Sequence, residues 1–247
     1  FDCWTTLAGL AALVPDVRLG SLVTHSTYRN PIAIARAAIT VDHISGGRLE
    51  FGIGAGGSDS DHRVTGVPPW PIRERMQRFR EELEILDRVL RGEAVSFKGE
   101  FYSAEAEFRP LTPQRPRPPL TLSALGPVAL GIAAQYADRW SSWAGTTAAL
   151  AAGTVLTEEE GLALTRERND RLDQMAAAAG RDPASIIRSL LAGWPVLSPG
   201  KPWASIEAFR EEEVVENAAA MGEYFQEALT GLMERHPSLG EVRGLGC

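Results

Sequence analysis

Short runs dominated by apolar residues alternate with helical patterns along most of the chain, and this alternation constrains the fold more than any other feature. Val17 to Thr24, Arg48 to Gly56, Pro119 to Ala124, Asp138 to Ala144 and Ile186 to Leu197 are strand-length runs without clean polar alternation. Such runs suit strands of a parallel sheet covered on both faces. Between them, Pro31 to Ile44 is rich in Ala and Ile and stops at Ser45-Gly46-Gly47, a helix-ending turn signal. Arg73 to Arg91 carries Met76, Phe79, Leu83, Leu86 and Leu90 at steps of three and four, which puts all five on one helix face. Thr157 to Gly180 reads as a long charged helix. The class expected is α/β with a parallel sheet. Residues 92 to 118 break the rhythm with a hairpin-like pattern around Lys98-Gly99 and a Pro-rich linker, an excursion between two units of the fold.

Composition narrows the partners. A net charge of −7 lacks the strong basic patch that nucleic acid or an anionic membrane would need. No apolar stretch reaches the roughly 18 residues of a membrane span, and the opening Phe1-Asp2-Cys3-Trp4 reads as the middle of something, not as a signal peptide. Only Cys3 and Cys247 occur, so no disulfide framework is expected and a cytoplasmic location is the default.

Gly52-Ile53-Gly54-Ala55-Gly56-Gly57 matches the dinucleotide-binding pattern directly after an expected strand. That reading requires a helix starting inside the motif and a second strand within a unit of about 30 residues. Here Ser58 to Pro71 reads as a long loop and the next strand lies near Pro119, so the context fails. Two readings stay open: a strand end whose glycines admit a ligand against the backbone, or a tight strand-to-loop turn.

Taken in order, Leu19 to Thr24, Tyr28-Arg29-Asn30-Pro31, Val41 to Leu49 and the glycine cluster resemble the signature of luciferase-like monooxygenases. Arg73-Glu74-Arg75, the Pro-rich linker, Gly126-Pro127 and Ala137-Asp138-Arg139-Trp140 extend the resemblance, which covers about residues 1 to 210. It implies a (βα)8 TIM-type barrel, incomplete here, with the family's strands 1 and 2 and strand 8 expected to be missing. The implied activity is that of a flavin-dependent oxidoreductase, a monooxygenase acting on a small organic substrate with reduced FMN and oxygen. The alternative is hydride transfer with the 8-hydroxy-5-deazaflavin coenzyme, and a second alternative is an inactive truncated or chimeric fragment. Neither a metal nor pyridoxal phosphate is expected. A flavin reductase supplying reduced cofactor and a homo-oligomeric parent complete the implied partners.

Carried over by position, the resemblance places Leu22 and Val23 beneath the cofactor ring, with a non-prolyl cis peptide there. It makes Ala55, Gly56, Gly57 and Ser58 line the cofactor, and Ser123, Ala124, Leu125 and Gly126 hold its phosphate. The last group has its own mechanism, since Gly126-Pro127 opens a helix from Val128 to Ala137 whose first amides face outward. The usual catalytic residue falls before Phe1 and stays unknown, leaving His25 as the local candidate for a substrate contact. His62 could touch cofactor or solvent, and His43 belongs to a turn. Trp140 and Trp143 could wall the pocket or join the core. Asp42 and Arg48 are read as structural, and Arg29 as pairing within its loop. From about Glu213 the chain resembles the C-terminal small domain of class III aminotransferases. The expected division is therefore 1–212 as partial barrel and 213–247 as a foreign tail, with no transaminase activity assigned.

Overall fold

The computed structural model describes residues 2–56, 59–107, 112–143 and 156–191, all within the compact unit Phe1–Gly193. It opens with a helix, α1 (Cys3–Leu13), that the sequence reading left out. Asp2 caps it by accepting from the Thr5 amide at 2.9 Å, and Trp4, Leu7 and Ala11, spaced three and four apart, face the core. At the other end the Arg48 guanidinium donates to the Ala11, Val14 and Val17 carbonyls at 2.7–2.9 Å. Those carbonyls have no intrahelical partner, so a cation with several donors suits the place.

What was expected as one strand over Val17 to Thr24 is two short pieces, β1 (Leu19–Gly20) and β2 (Thr24–His25). Both pair in parallel with β3 (Leu49–Gly54), but Leu19 faces Leu49 whereas Thr24 faces Ile53. The register therefore slips by one residue, and the extra residue lies in Ser21–Val23, where the strand is interrupted. Between β2 and β3 runs α2 (Pro31–Ile44), with Pro31 in the first turn and Asn30 accepting from the Ile32 amide.

After β3 the segment expected as loop contains a short helix, α3 (Asp59–Thr65), followed by α4 (Ile72–Leu90). The excursion is a hairpin of β4 (Val95–Lys98) and β5 (Ser103–Ala106). Its turn spans Gly99 to Tyr102, so the second strand begins later than a turn at Lys98-Gly99 implies. The chain continues through β6 (Leu120–Ser123), α5 (Pro127–Tyr136), β7 (Arg139–Trp143), α6 (Glu158–Ala178), a 3-10 turn at Pro183–Ser185 and β8 (Ile187–Leu191). Residues 192–197 of the last expected strand, and the whole of 213–247, lie outside the described residues.

All pairings in the large sheet are parallel, in the order β1/β2, β3, β6, β7, β8. Leu49, Phe51, Ile53, Leu120, Leu122 and Trp140 alternate onto the face covered by helices, where Phe51 meets Trp4 of α1 edge-on. Opposing them are Ile34, Ala35 and Ala38 of α2, Phe79, Leu83 and Leu86 of α4, and Leu130 and Ala133 of α5. The other face is polar and small. At the strand starts Glu50 bonds Arg18 at 2.7 Å and Arg139 at 3.2 Å.

Asp42 and Arg48 do not pair with each other. Fully buried Asp42 accepts from the Leu49 amide, the Thr112 hydroxyl and, at 2.7 Å, Gln114 Nε2, tying the Pro-rich linker to α2. Arg29 pairs with Asp2 rather than within its own loop. Arg117 of the linker is buried and bridges Asp87 and Asp138 while donating to the Tyr136 carbonyl. Burial opposes ionisation of Asp87, but Arg91 and Arg117 hold its carboxyl below the usual range.

Candidate functional site

Because the strands are parallel, the ends of β2, β3, β6 and β7 open on one side of the sheet, where barrel folds place their sites. The pairing brings His25, Gly54, Ser123, Ser141 and Ser189 into one row across five neighbouring strands. They share the face turned away from the helices, so a molecule over these ends meets small and hydroxyl side chains.

The peptide bond Leu22-Val23 is cis, at the position the resemblance implied. Leu22 is 62 % exposed, unusual for a large apolar residue inside a sheet. The glycines of β3 answer to this neighbour before any ligand. A Cβ at Gly52 would collide with the Ser21 carbonyl oxygen, and one at Gly54 would lie 3.0 Å from Val23 Cγ2. Gly56 has φ +73°, a left-handed conformation that favours glycine, and a Cβ there would press on the His25 ring at 3.2 Å. The cluster thus packs the interrupted strand against β3 and turns the chain over His25. Gly57 and Ser58 lie outside the described residues.

A helix does begin just after the cluster, contrary to the expected loop. The next parallel strand is nevertheless β6, reached only after α4 and the hairpin, so the dinucleotide-binding unit is absent.

At the end of β6, Gly126 is the N-cap of α5 with Pro127 in the first turn, and no side chain caps the helix. Its first amides are therefore open to an anion. Trp140 is no pocket wall: 2 % exposed, it donates from Nε1 to the Ala124 carbonyl at 2.8 Å and anchors the Ser123–Gly126 turn from behind. The side chain of Trp143 lies outside the described residues.

His25 has both ring nitrogens engaged. Nδ1 bonds the Thr27 hydroxyl, and Nε2 lies 3.2 Å from Asp61 Oδ2. The Tyr28 hydroxyl donates to the other Asp61 oxygen at 2.9 Å, and the Tyr28 and His25 rings lie 4.5 Å apart. Burial lowers the His25 pKa, outweighing the opposite pull of Asp61, so the ring is neutral near pH 7 with its proton assigned to Nε2. Helix α3 is thereby tied to the end of β2. His62 is buried away from solvent: Nδ1 lies 3.2 Å from the Val67 carbonyl, its ring meets Trp70 edge-on, and it acts electrostatically on His25. His43 is exposed in the last turn of α2.

Two acidic residues of α4 escaped the sequence reading. Glu81 accepts three amides of the hairpin turn, Glu100, Phe101 and Tyr102, each at 3.0 Å. Burial alone would raise its pKa, yet these amides and Gln77 hold it below the usual range. Glu82 is fully buried beside Ser26, and burial pushes its pKa up to about 8. A run of Glu on a helix reads as a solvated face, although Glu82, three residues after Phe79 and four before Leu86, lies at the edge of the apolar face. Arg78 sits between the Trp70 and Phe101 rings at 4.5 and 4.1 Å, joining the loop at the strand ends to the hairpin turn.

The profile of the luciferase-like monooxygenase family matches residues 1–198, and the chain belongs to that family. It is 30 % identical over 194 residues to the F420-dependent glucose-6-phosphate dehydrogenase of Intrasporangium calvum, covering 74 % of this chain and 57 % of that protein. It is 32 % identical over 133 residues to the 4-hydroxyprotoasukamycin monooxygenase of Streptomyces nodosus subsp. asukaensis, covering 53 % of this chain and 35 % of that one. Among solved structures, the coenzyme F420-dependent tetrahydromethanopterin reductase of Methanopyrus kandleri superposes with a TM-score of 0.62 at 21 % identity, over 77 % of this chain and 54 % of the other. The chain thus spans from about a third to somewhat over half of these proteins. Its fold is that of the (βα)8 barrel family, of which the described residues supply five strand positions.

Proposed function

We propose that this chain forms the cofactor-binding part of an oxidoreductase that seats a flavin or deazaflavin at the strand ends and acts on a small organic substrate. The observation that carries the reading is an exposed apolar residue just before β2 together with an anion-ready turn just after β6. Leu22 offers the former, and Ser123, Ala124, Leu125 and Gly126 with the uncapped start of α5 offer the latter. Together they fit a flat, phosphorylated cofactor. Ala55 and Gly56 would border the ring; Gly57 and Ser58, expected to share that role, lie outside the described residues.

When bound, the ring system supplies hydride transfer or, as reduced FMN, oxygen activation. The chain's part is to bind and orient it. Trp140 holds the phosphate turn, while Asp61, bonded to His25 and Tyr28, fixes one wall of the opening. His25 stands next to the place a substrate would occupy, with a neutral ring. The deazaflavin form is supported by the longer match to an F420-dependent dehydrogenase, 194 residues. The FMN monooxygenase form, for which a separate flavin reductase would supply reduced cofactor, is supported by the slightly higher identity, 32 %, over the shorter match. No described helix is long and apolar enough to cross a membrane, and the two-cysteine content supports a reducing compartment such as the cytoplasm. The family match ends at residue 198, which supports reading 213–247 as a segment of different origin.

Fluorescence titration of the full chain with FMN and with the deazaflavin coenzyme tests the proposal. Saturable quenching at micromolar concentration by either supports the seat, and the tighter ligand selects the chemistry. Quenching by neither would overturn the proposal and favour an inactive fragment.

A further inference from the structure

The Glu82 side chain has no part in the hydrogen bonds that build the helices or the hairpin, yet the residue is 0 % exposed. Its Oε2 accepts from the Ser26 hydroxyl, and its Oε1 has no hydrogen-bond partner among the described residues. No cation there pairs with it. A carboxylate buried with a single hydrogen bond and no counter-charge is among the costliest arrangements a protein can hold. The neutral acid carries no buried charge and so removes that cost. Ser26, itself 4 % exposed, immediately follows His25 in the segment leaving β2. The acid therefore grips, from α4, the stretch of chain that carries one wall of the proposed seat.

We propose that Glu82 is a positioning residue, a protonated buried acid that acts through the Ser26 hydroxyl to hold the end of β2, so that the seat keeps its shape only while the proton stays on. The seat itself rests on the function proposed above; the grip on Ser26 does not. Burial is the cause of the raised pKa of about 8, with Ser26 pulling weakly the other way. The titratable group on another element that feels Glu82 is Tyr102 of the hairpin turn, whose phenol burial and Glu82 together push up to about 12. Arg78, which bonds Tyr102, and Glu81 lie on α4 itself and act on Tyr102 in opposite directions. His25, next in sequence to Ser26, is held by Asp61 and Thr27. Loss of the Glu82 proton places a bare charge in this setting, and the chain relieves it by letting the Ser26 segment open to water.

The test compares wild type, Glu82→Gln and Ser26→Ala as full chains between pH 6 and 9.5. Glutamine keeps the shape of the neutral acid and cannot ionise. In wild type the dissociation constant for the better-binding cofactor, FMN or the deazaflavin coenzyme, is expected to rise by up to about tenfold per pH unit above the Glu82 pKa. Glu82→Gln is expected to bind as wild type does near pH 6 and to show no such rise. Ser26→Ala is expected to weaken binding already near pH 6. A wild-type-like pH profile in Glu82→Gln overturns the proposal. Hydrogen exchange of the amides of residues 26–30 reads the grip without any cofactor. Protection lost in wild type above pH 8 but kept in Glu82→Gln supports it, and equal protection at all pH values overturns it. Absence of cofactor binding with the exchange difference intact refutes the seat alone.

Discussion

At Gly52 an added methyl group would occupy the space of the Ser21 carbonyl oxygen, whereas at Gly131, inside α5, it would meet only Met175 Sδ at 3.7 Å. The two positions should respond oppositely to alanine. Gly52→Ala forces β1/β2 and β3 apart and is expected to cost about 3 kcal/mol of stability, at the upper end for overpacking. Gly131→Ala relieves the entropic cost of a helical glycine and is expected to gain about 0.5–1 kcal/mol. Urea unfolding of both variants checks the pair, and a mild Gly52→Ala would show that the strand interruption can relax. Trp140→Phe makes a subtler case, because it leaves the buried Ala124 carbonyl without its donor. The expected loss is about 2 kcal/mol, with weaker cofactor binding, since that carbonyl belongs to the turn proposed to hold the phosphate. Residues of this kind were only half legible in the sequence. The glycine cluster announced a special strand end, but the demand that Gly52 meets comes from Ser21, thirty-one positions away. The buried Glu81 and Glu82 sit in a run that looks like a wet helix face.

Among the elements, the β4–β5 hairpin shows what holds an excursion onto a barrel. Beside the packing of Tyr102 against the core, α4 supplies an anion to its turn, and Gly99 is needed because a Cβ there would strike the Glu81 carboxylate. Glu81→Gln keeps the shape and loses the charge. The expected cost is about 2 kcal/mol, as for hydrogen bonds to an ionised group, with faster amide exchange confined to 99–102. The pH dependence has a definite sign. A carboxyl held below its ordinary value contributes stability that is present at neutral pH and is lost as pH falls through the folded-state value. Thermal melting from pH 7 down to pH 3 should therefore decline less in Glu81→Gln than in wild type, and parallel curves would remove Glu81 from the acid response. Helices were the elements read most nearly right from sequence. The faces of α4 and the ends of α2 and α5 follow local rules of spacing and capping. Helix α1 follows the same rules, through its Asp2 cap and three spaced apolar residues, whereas the split of the first strand depends on a neighbour that only the sheet provides.

For the whole molecule the decisive feature is the inner face of the sheet. A closed eight-stranded barrel fills that space with side chains from every strand. Here the described residues supply five strand positions, and among them β1/β2 and β8 each have one strand neighbour. Ile187, on the inner face in register with Arg139, is 53 % exposed, where a closed barrel would bury it. Unpaired strand edges beside exposed apolar side chains template pairing with another chain. Purified full chain is accordingly expected to associate as concentration rises, which light scattering after size exclusion will show, and to bind a hydrophobic dye. Ile187→Lys places a charge on that face and should move the onset of association to higher concentration while reducing dye binding. Added cofactor, by covering Leu22 and the row from His25 to Ser189, should act in the same direction without any substitution. A chain that stays monomeric and dye-free at every concentration would mean instead that the inner face is already covered by other parts of this polypeptide. The proposed seat would then be smaller and more enclosed than the five strands alone define.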